Sequence, residues 1–293
     1  MLWIFLTVAA APLQVARNAL QRGLVGDAGP WGATLVRFLF GLPFSLAIFA
    51  VVALLTPTAA PHPGVRFLIA VSAGALAQVG ATAALLMAMR TAGFAVATFM
   101  QQSSLPFGAL IGFVLFGDRL SPVQWAGLAA TSVALLALSW PARVQTTGVR
   151  AGSLYGLASG VAFAVALNGY RQAGLALEPA HPIYSATAAL CVAQALQSLV
   201  MVTLLAAIRP SALRAVGASW RVSLGAGFFG TVASACWFSA LALAPAGQVR
   251  AVGVIEGPIA AAAGRRLFRE KLSARQVAGG LLAAVGVVMT ALG

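Results

Sequence analysis

Charge is what this chain has least of. Asp, Glu, Lys and Arg make up 8% of its 293 residues, and only five of these are acids. An average soluble domain carries roughly 25%, so there is too little charge here to coat a water-soluble globule. The two histidines, His62 and His181, sit in proline-containing loops, Pro61-His62-Pro63 and His181-Pro182. A metal centre needs more ligands than this, and neither a metal nor any other cofactor is expected. Both cysteines, Cys191 and Cys236, lie inside apolar runs, which argues against a disulfide framework and against a reactive thiolate. No glycine-rich loop leading into Lys-Ser or Lys-Thr is present, so an ATP-driven pump is excluded. No Lys or Arg precedes the first apolar stretch. A cleaved leader would carry such a basic start, so a retained first helix is expected.

What the chain does have is apolar length. Hydrophobic residues make up 61% and the mean hydropathy is +0.95. A membrane-spanning helix takes about 20 apolar residues. Ten such segments can be read: Leu2–Leu20, Gly32–Leu55, Phe67–Met89, Gly93–Phe116, Pro122–Trp140, Gly152–Tyr170, Ile183–Ile208, Val222–Leu243, Gly247–Phe268 and Arg275–Leu292. The expectation is an all-α integral membrane protein with ten transmembrane helices. Trp3, Trp31, Trp125, Trp140 and Trp220 fall near segment ends, as an aromatic belt requires, whereas Trp237 is mid-segment. Gly152, Gly156 and Gly160 recur at four-residue spacing, which lets helix backbones approach closely in lipid.

The formal charge of +13 does not indicate nucleic acid as a partner. Its basic residues are scattered between apolar runs rather than gathered on one soluble face. They are distributed unevenly. Arg22, Arg90, Arg143, Arg150, Arg209, Arg214, Arg221, Arg265, Arg266, Arg269, Lys271 and Arg275 lie at connections after odd-numbered segments. Only Arg66, Arg119, Arg171 and Arg250 lie at connections after even-numbered ones. Basic residues in short loops stay in the cytoplasm. The expectation is odd connections inside the cytoplasmic (inner) membrane and both termini outside, in the periplasm.

The two halves of the sequence repeat. Phe116-Gly-Asp-Arg-Leu-Ser-Pro-Val-Gln-Trp-Ala-Gly127 aligns without gaps on Phe268-Arg-Glu-Lys-Leu-Ser-Ala-Arg-Gln-Val-Ala-Gly279, 152 residues later. Six of the twelve positions are identical, and Asp118/Glu270 and Arg119/Lys271 keep their charge. The same offset pairs Pro106 with Pro258. Two five-helix repeats are expected, residues 1–148 and 149–293. Five is odd, so the second copy would enter the membrane inverted, a common plan among secondary transporters. With these twin patterns, the Leu35-Val36-Arg37-Phe38 run and Ile255-Glu256-Gly257-Pro258, the chain resembles the EamA-type drug/metabolite transporters over essentially its whole length. The family's Leu-Glu-Pro-Val run is interrupted here by Gly257, and Ser104-Leu105-Pro106 has serine at the acid's place. The resemblance implies ten helices and transport of small metabolites. It also implies termini in the cytoplasm, against the charge distribution.

Of the five acids, only Glu256 lies deep inside a segment. A mid-bilayer charge costs roughly 2.5–3.5 kcal/mol on insertion scales and normally faces a bundle interior or wet cavity. Glu256 reads either as a coupling or substrate-binding carboxylate, with the proton as candidate coupling ion, or as half of a buried Glu–Arg pair. Pro258 beside Gly253 and Gly257, and Pro106 beside Gln101, Gln102, Ser103 and Ser104, suggest bends that open the backbone to a cavity. The polar groups there could bind solute or merely join helices. Arg37 lies inside segment 2. Arg17 and Arg250 lie near segment ends, where snorkelling to the interface is the plainer reading. Asn18, Gln14, Gln78 and Asn168 add polar atoms at helical spacing, and Trp237 could wall a cavity or simply pack.

The function this supports is a secondary transporter. It would move an amino acid or related anionic or zwitterionic solute, with drug-like compounds a further option, by alternating access, with export the expected direction. A monomer or weak dimer in the lipid bilayer suffices. The alternatives are a membrane-embedded enzyme, for which no intramembrane nucleophile with a base or acidic diphosphate motif is present, and a non-transporting scaffold. The arginines lean towards anions, and Glu256 leans towards cations or amino acids.

Overall fold

The computed structural model describes residues 1–117, 121–139, 147–244, 249–250, 252–269 and 274–292. Among the described residues the α-helices are, in order, α1 Leu2–Leu39, α2 Leu42–Leu55, α3 Val65–Ala92, α4 Phe94–Gln101, α5 Ser104–Phe116, α6 Pro122–Ser139, α7 Thr147–Leu177, α8 Pro182–Ile208, α9 Pro210–Ala218, α10 Trp220–Leu243, α11 Glu256–Phe268 and α12 Ala274–Leu292. A single 3-10 turn, Gly253–Ile255, precedes α11. There is no strand among the described residues. Among the described residues, five stretches are long and apolar enough to cross a membrane: Leu2–Leu55 as one run, Val65–Ala92, Arg150–Leu177, Pro182–Ile208 and Trp220–Leu243.

Several boundaries differ from the sequence reading, each for a physical reason. The expected loop between segments 1 and 2 is helical up to a single break at Gly29, whose φ of 69° and ψ of 172° no β-branched residue would tolerate. Pro30 favours such an extended predecessor. The polar residues that suggested a loop are held by the fold. Gln21 donates from Nε2 to the Ala33 carbonyl at 2.7 Å, and the Arg22 guanidinium lies 3.9 Å from the centre of the Phe268 ring. Segment 2 is interrupted at Phe40-Gly41. There the backbone lies against Gly227 of α10, at a spot where any Cβ on Gly227 would overlap it, and Thr231 donates to the Gly41 carbonyl at 3.1 Å. The connection between segments 7 and 8 is itself a helix, α9, with Ala212 and Val216 buried.

Segments 4 and 9 are broken in matching places. α5 begins at Ser104 and α11 at Glu256, 152 residues apart, and they end at Phe116 and Phe268, again 152 apart. Each is followed by a left-handed residue, Gly117 (φ 71°) and Arg269 (φ 54°). α6 and α12 then begin at Pro122 and Ala274. Pro106 and Pro258 do not sit at the breaks. Each occupies the third position of the new helix, where a missing N–H leaves no intrahelical bond unmade. The first break is tightened by bonds from the Gln102 N–H to the Phe99 carbonyl (3.0 Å) and the Ser103 N–H to the Met100 carbonyl (3.1 Å). The acid-base signatures Asp118-Arg119 and Glu270-Lys271 lie outside the described residues.

α3 packs along α7, α1 along α10, α6 along α12, and α4 against α11. The glycine row on α7 serves this packing. Gly152 faces Thr91 and Ala92, Gly156 faces Met100, and Gly160 faces Ser103, and in each case an added Cβ would collide. The outer surface carries Leu54, Ile69, Val114, Leu115, Leu199 and Leu281, all well exposed. Polar and charged side chains are turned inward instead, the reverse of a soluble fold.

Candidate functional site

α1 places Gln14, Arg17, Asn18 and Gln21 on one face by its i, i+3, i+4, i+7 spacing, and all four are buried. Beyond Gly29 the same helix presents Arg37. α10 presents Gly230, Ser234, Trp237 and Phe238 by the same periodicity, and α7 presents Phe163 and Leu167. The end of α4 brings Gln101. The turn leading into α11 brings Arg250, and the first residue of α11 is Glu256. Together Gln14, Arg37, Gln78, Gln101, Phe163, Leu167, Ser234, Trp237, Phe238 and Arg250 line a cavity of about 30 Å³, room for about one water.

The charges here are buried. Arg17 is 1% exposed, Arg37 3%, Arg250 5% and Glu256 0%. Their hydrogen bonds go to neutral partners. Arg17 donates to Asn18 Oδ1 from Nη2 at 2.6 Å and from Nε at 3.2 Å. Arg37 donates to Thr82 (3.2 Å) and Ser234 (3.1 Å). Arg250 Nη2 donates to Gln102 Oε1 and Ser104 Oγ, both at 3.0 Å, and its guanidinium lies 5.2 Å from the centre of the Trp237 ring. Gln14 donates to Glu256 Oε1 at 2.8 Å. Glu256 lies in the first turn of α11, where a carboxylate is favoured by the helix dipole. The stems of Arg17 and Arg37 run side by side over Gly230. Several buried polar atoms have no hydrogen-bond partner among the described residues: Arg17 Nη1, Arg37 Nε, Arg250 Nε, Trp237 Nε1, Gln101 Oε1 and Glu256 Oε2.

The structure brings most of the expected residues together. Gln101, Gln78, Arg37 and Trp237 line the cavity, Gln102 and Ser104 hold Arg250, and Glu256 meets Gln14. Gln78 also accepts from the Tyr170 hydroxyl (2.8 Å) and Gln197 (2.9 Å). Asn18 serves Arg17. Asn168 is elsewhere: it donates to the Gly108 and Ala164 carbonyls and lines a wider lateral groove of about 560 Å³ between α3, α5 and α7. Gly253 lies against the Trp237 ring, and Gly257 against Phe99. The snorkelling reading of Arg17 and Arg250 is overturned: α1 runs on past the expected end of segment 1, and both arginines are buried. Ser234, Thr82, Phe163, Leu167 and Phe238 were not anticipated. Ser234 stands in a polar-interrupted run, Thr231 to Ser239, that could have drawn attention.

Comparison with known proteins places this arrangement. No curated protein matches the chain. A solved structure described only as "Crystal structure of protein" matches with a TM-score of 0.62 at 18% identity, covering 99% of this chain and 96% of its own; the fold is thus shared over the full length. The EamA-like transporter family matches residues 150–292, the half that supplies Trp237, Arg250 and Glu256. EamA is a transporter family, not an enzyme family. Residues 150–292, just under half of the chain, are thus similar to the EamA-like transporter family.

Proposed function

We propose that the chain is a secondary transporter that moves a small organic solute across the cytoplasmic membrane by alternating access, in the direction of export. The observation that carries this reading is the small, polar-lined cavity. Charged and polar side chains from α1, α3, α4 and α10, with Arg250, converge on a space too small for any solute. Buried ionisable groups without partners are expensive in a membrane and persist where a ligand or water path needs them. A site too small for a solute in one state requires a wider state for solute to enter.

The ten spans form two inverted five-helix repeats in this proposal, residues 1–148 and 149–293. The helix starts at Ser104 and Glu256, and the left-handed residues after α5 and α11, support it. Broken helices whose ends meet at mid-membrane are the usual place for a transporter's site. Both halves contribute to one cavity, so a single chain is complete. Glu256, with an unpartnered oxygen in the first turn of α11, is the residue proposed to carry coupling to protons. Counterflow tests the reading. Purified protein in proteoliposomes is expected to exchange a labelled solute against an unlabelled excess. A chain that binds solute yet never exchanges it would be a scaffold or an enzyme.

A further inference from the structure

We propose that the solute is a small organic anion, whose acidic group is held between Arg37 and Arg250 while Glu256 serves as the stand-in counter-ion when the site is empty. The inference rests on the transporter reading and adds the charge class. Three guanidiniums and one carboxylate are buried among the described residues. The hydrogen bonds that the three arginines donate all go to neutral groups: Asn18, Thr82, Ser234, Gln102 and Ser104. Among the described residues Glu256 makes no ion pair within 4.0 Å, though it interacts electrostatically with Arg250 and Arg17. The interior therefore holds positive charge that the protein does not neutralise.

The unpartnered atoms point the same way. Arg37 and Arg250 both line the cavity, and each has a buried Nε–H with no acceptor. Trp237, on the same wall, has a free indole N–H. A cation arriving here would meet two guanidiniums. A carboxylate or phosphate would meet planar forks shaped for it. Phe163, Leu167, Trp237 and Phe238 supply an apolar wall for the rest of the molecule. An acid bound at Arg37 and Arg250 replaces Glu256 as the counter-charge to Arg250, and Glu256 resumes that role on release. Glu256 thus competes with the solute instead of binding it.

A matched set of probes tests this on the purified full chain by thermal shift and titration: phenylacetate, phenyl phosphate, phenylacetamide and phenethylamine. Phenylacetate or phenyl phosphate is expected to raise the melting temperature, the preferred one distinguishing carboxylate from phosphate; the amide and the amine are not. R37Q and R250Q should each weaken that anion about tenfold or more. R37K and R250K keep the charge but lose the fork, and cover the case in which a glutamine variant fails to fold. E256Q should bind the anion at least as tightly as the parent while its counterflow falls. Stabilisation by phenethylamine, by no probe, or by the anion equally in the folded arginine variants overturns the proposal, as does loss of anion binding in E256Q. Counterflow of phenethylamine would leave the transporter reading standing without this inference. Anion binding without counterflow would leave the site and remove the transporter reading.

Discussion

Glu256 is fully buried, yet among the described residues its carboxylate's only hydrogen bond comes from a glutamine 242 residues away. A purely structural carboxylate would be expected to have both oxygens satisfied. Glu256→Gln keeps the shape and the bond to Gln14, so the protein should insert and melt normally. Counterflow should fall about tenfold and lose its pH dependence, which is checked by measuring exchange between pH 5 and pH 8; an unchanged profile removes Glu256 from coupling. At this scale the sequence was partly legible. A lone acid or a Gln-Gln-Ser-Ser run in an apolar segment stands out because lipid penalises it. Arg17 and Arg250 were misread because a long basic side chain near a segment end normally escapes to the interface. Only knowledge of where α1 really ends shows that Arg17 has no such escape.

Helices in this protein are shaped by what lies across from them. The break between α4 and α5 exists where Gly160 of α7 leaves space for Ser103. Gly160→Ala would push the break away and is expected to destabilise by about 1–3 kcal/mol, as overpacking does. Thermal unfolding of the detergent-solubilised variant checks this. The break at Phe40-Gly41 could not be read locally, since it depends on Gly227 and Thr231 of α10. The prolines gave the neighbourhood of the other two breaks, but not the residue.

A second element-scale feature is a clasp between the 56–64 loop and the turn after α7. Ala60 N–H donates to Glu178 Oε2 at 3.0 Å, Ala180 N–H to Glu178 Oε1 at 3.1 Å, and His62 N–H to the Leu177 carbonyl at 3.0 Å. His181 Nε2 lies 3.2 Å from Thr58 Oγ1. Desolvation pushes the Glu178 carboxyl up, but the two N–H groups and His181 outweigh it and hold it below the usual carboxylate range. A lowered native value means the clasp is fully formed above the ordinary carboxylate range and loosens as pH falls through the lower one. Hydrogen exchange at Ala60 and Ala180, corrected for intrinsic rate, should therefore stay slow from pH 5 upward. Glu178→Gln should speed it at every pH; protection that survives the change would place the clasp elsewhere.

Across the whole molecule, the burial of Arg250 sharpens the charge asymmetry, since it removes one of the few basic residues from the connections after even segments. Odd connections are thus expected in the cytoplasm and the termini in the periplasm. A fusion at Gly293 decides: alkaline phosphatase should be active and a fluorescent protein dark, and the opposite pair would reverse the assignment. If the two halves share one pathway, single cysteines at Gln101, Ser104, Gly253 and Glu256 should be reached by water-soluble reagents from alternate sides. Uniform silence at all four would leave no central path. The likeness of the second half to EamA-like transporters and the all-helical class were legible at this scale because apolar runs survive in the bare sequence; the helix count was not, because segments 2 and 4 are broken and α9 is an added helix. The pairing of α3 with α7 and α1 with α10 was not, because lipid makes every apolar face alike.

Gly29 joins two spans through a single residue, and Gly93, with φ 92° and ψ 162°, joins α3 to α4 in the same way. A link that short is a pivot with no slack. Two rods sharing a pivot can part only at their far ends, like the blades of shears. Both pivots follow odd-numbered segments, so any widening between these rods is greatest on the opposite side, where the 56–64 loop crosses. If the proposed alternating access works by such parting, its opening and the Glu178 fastening share one face and the hinge line lies on the other.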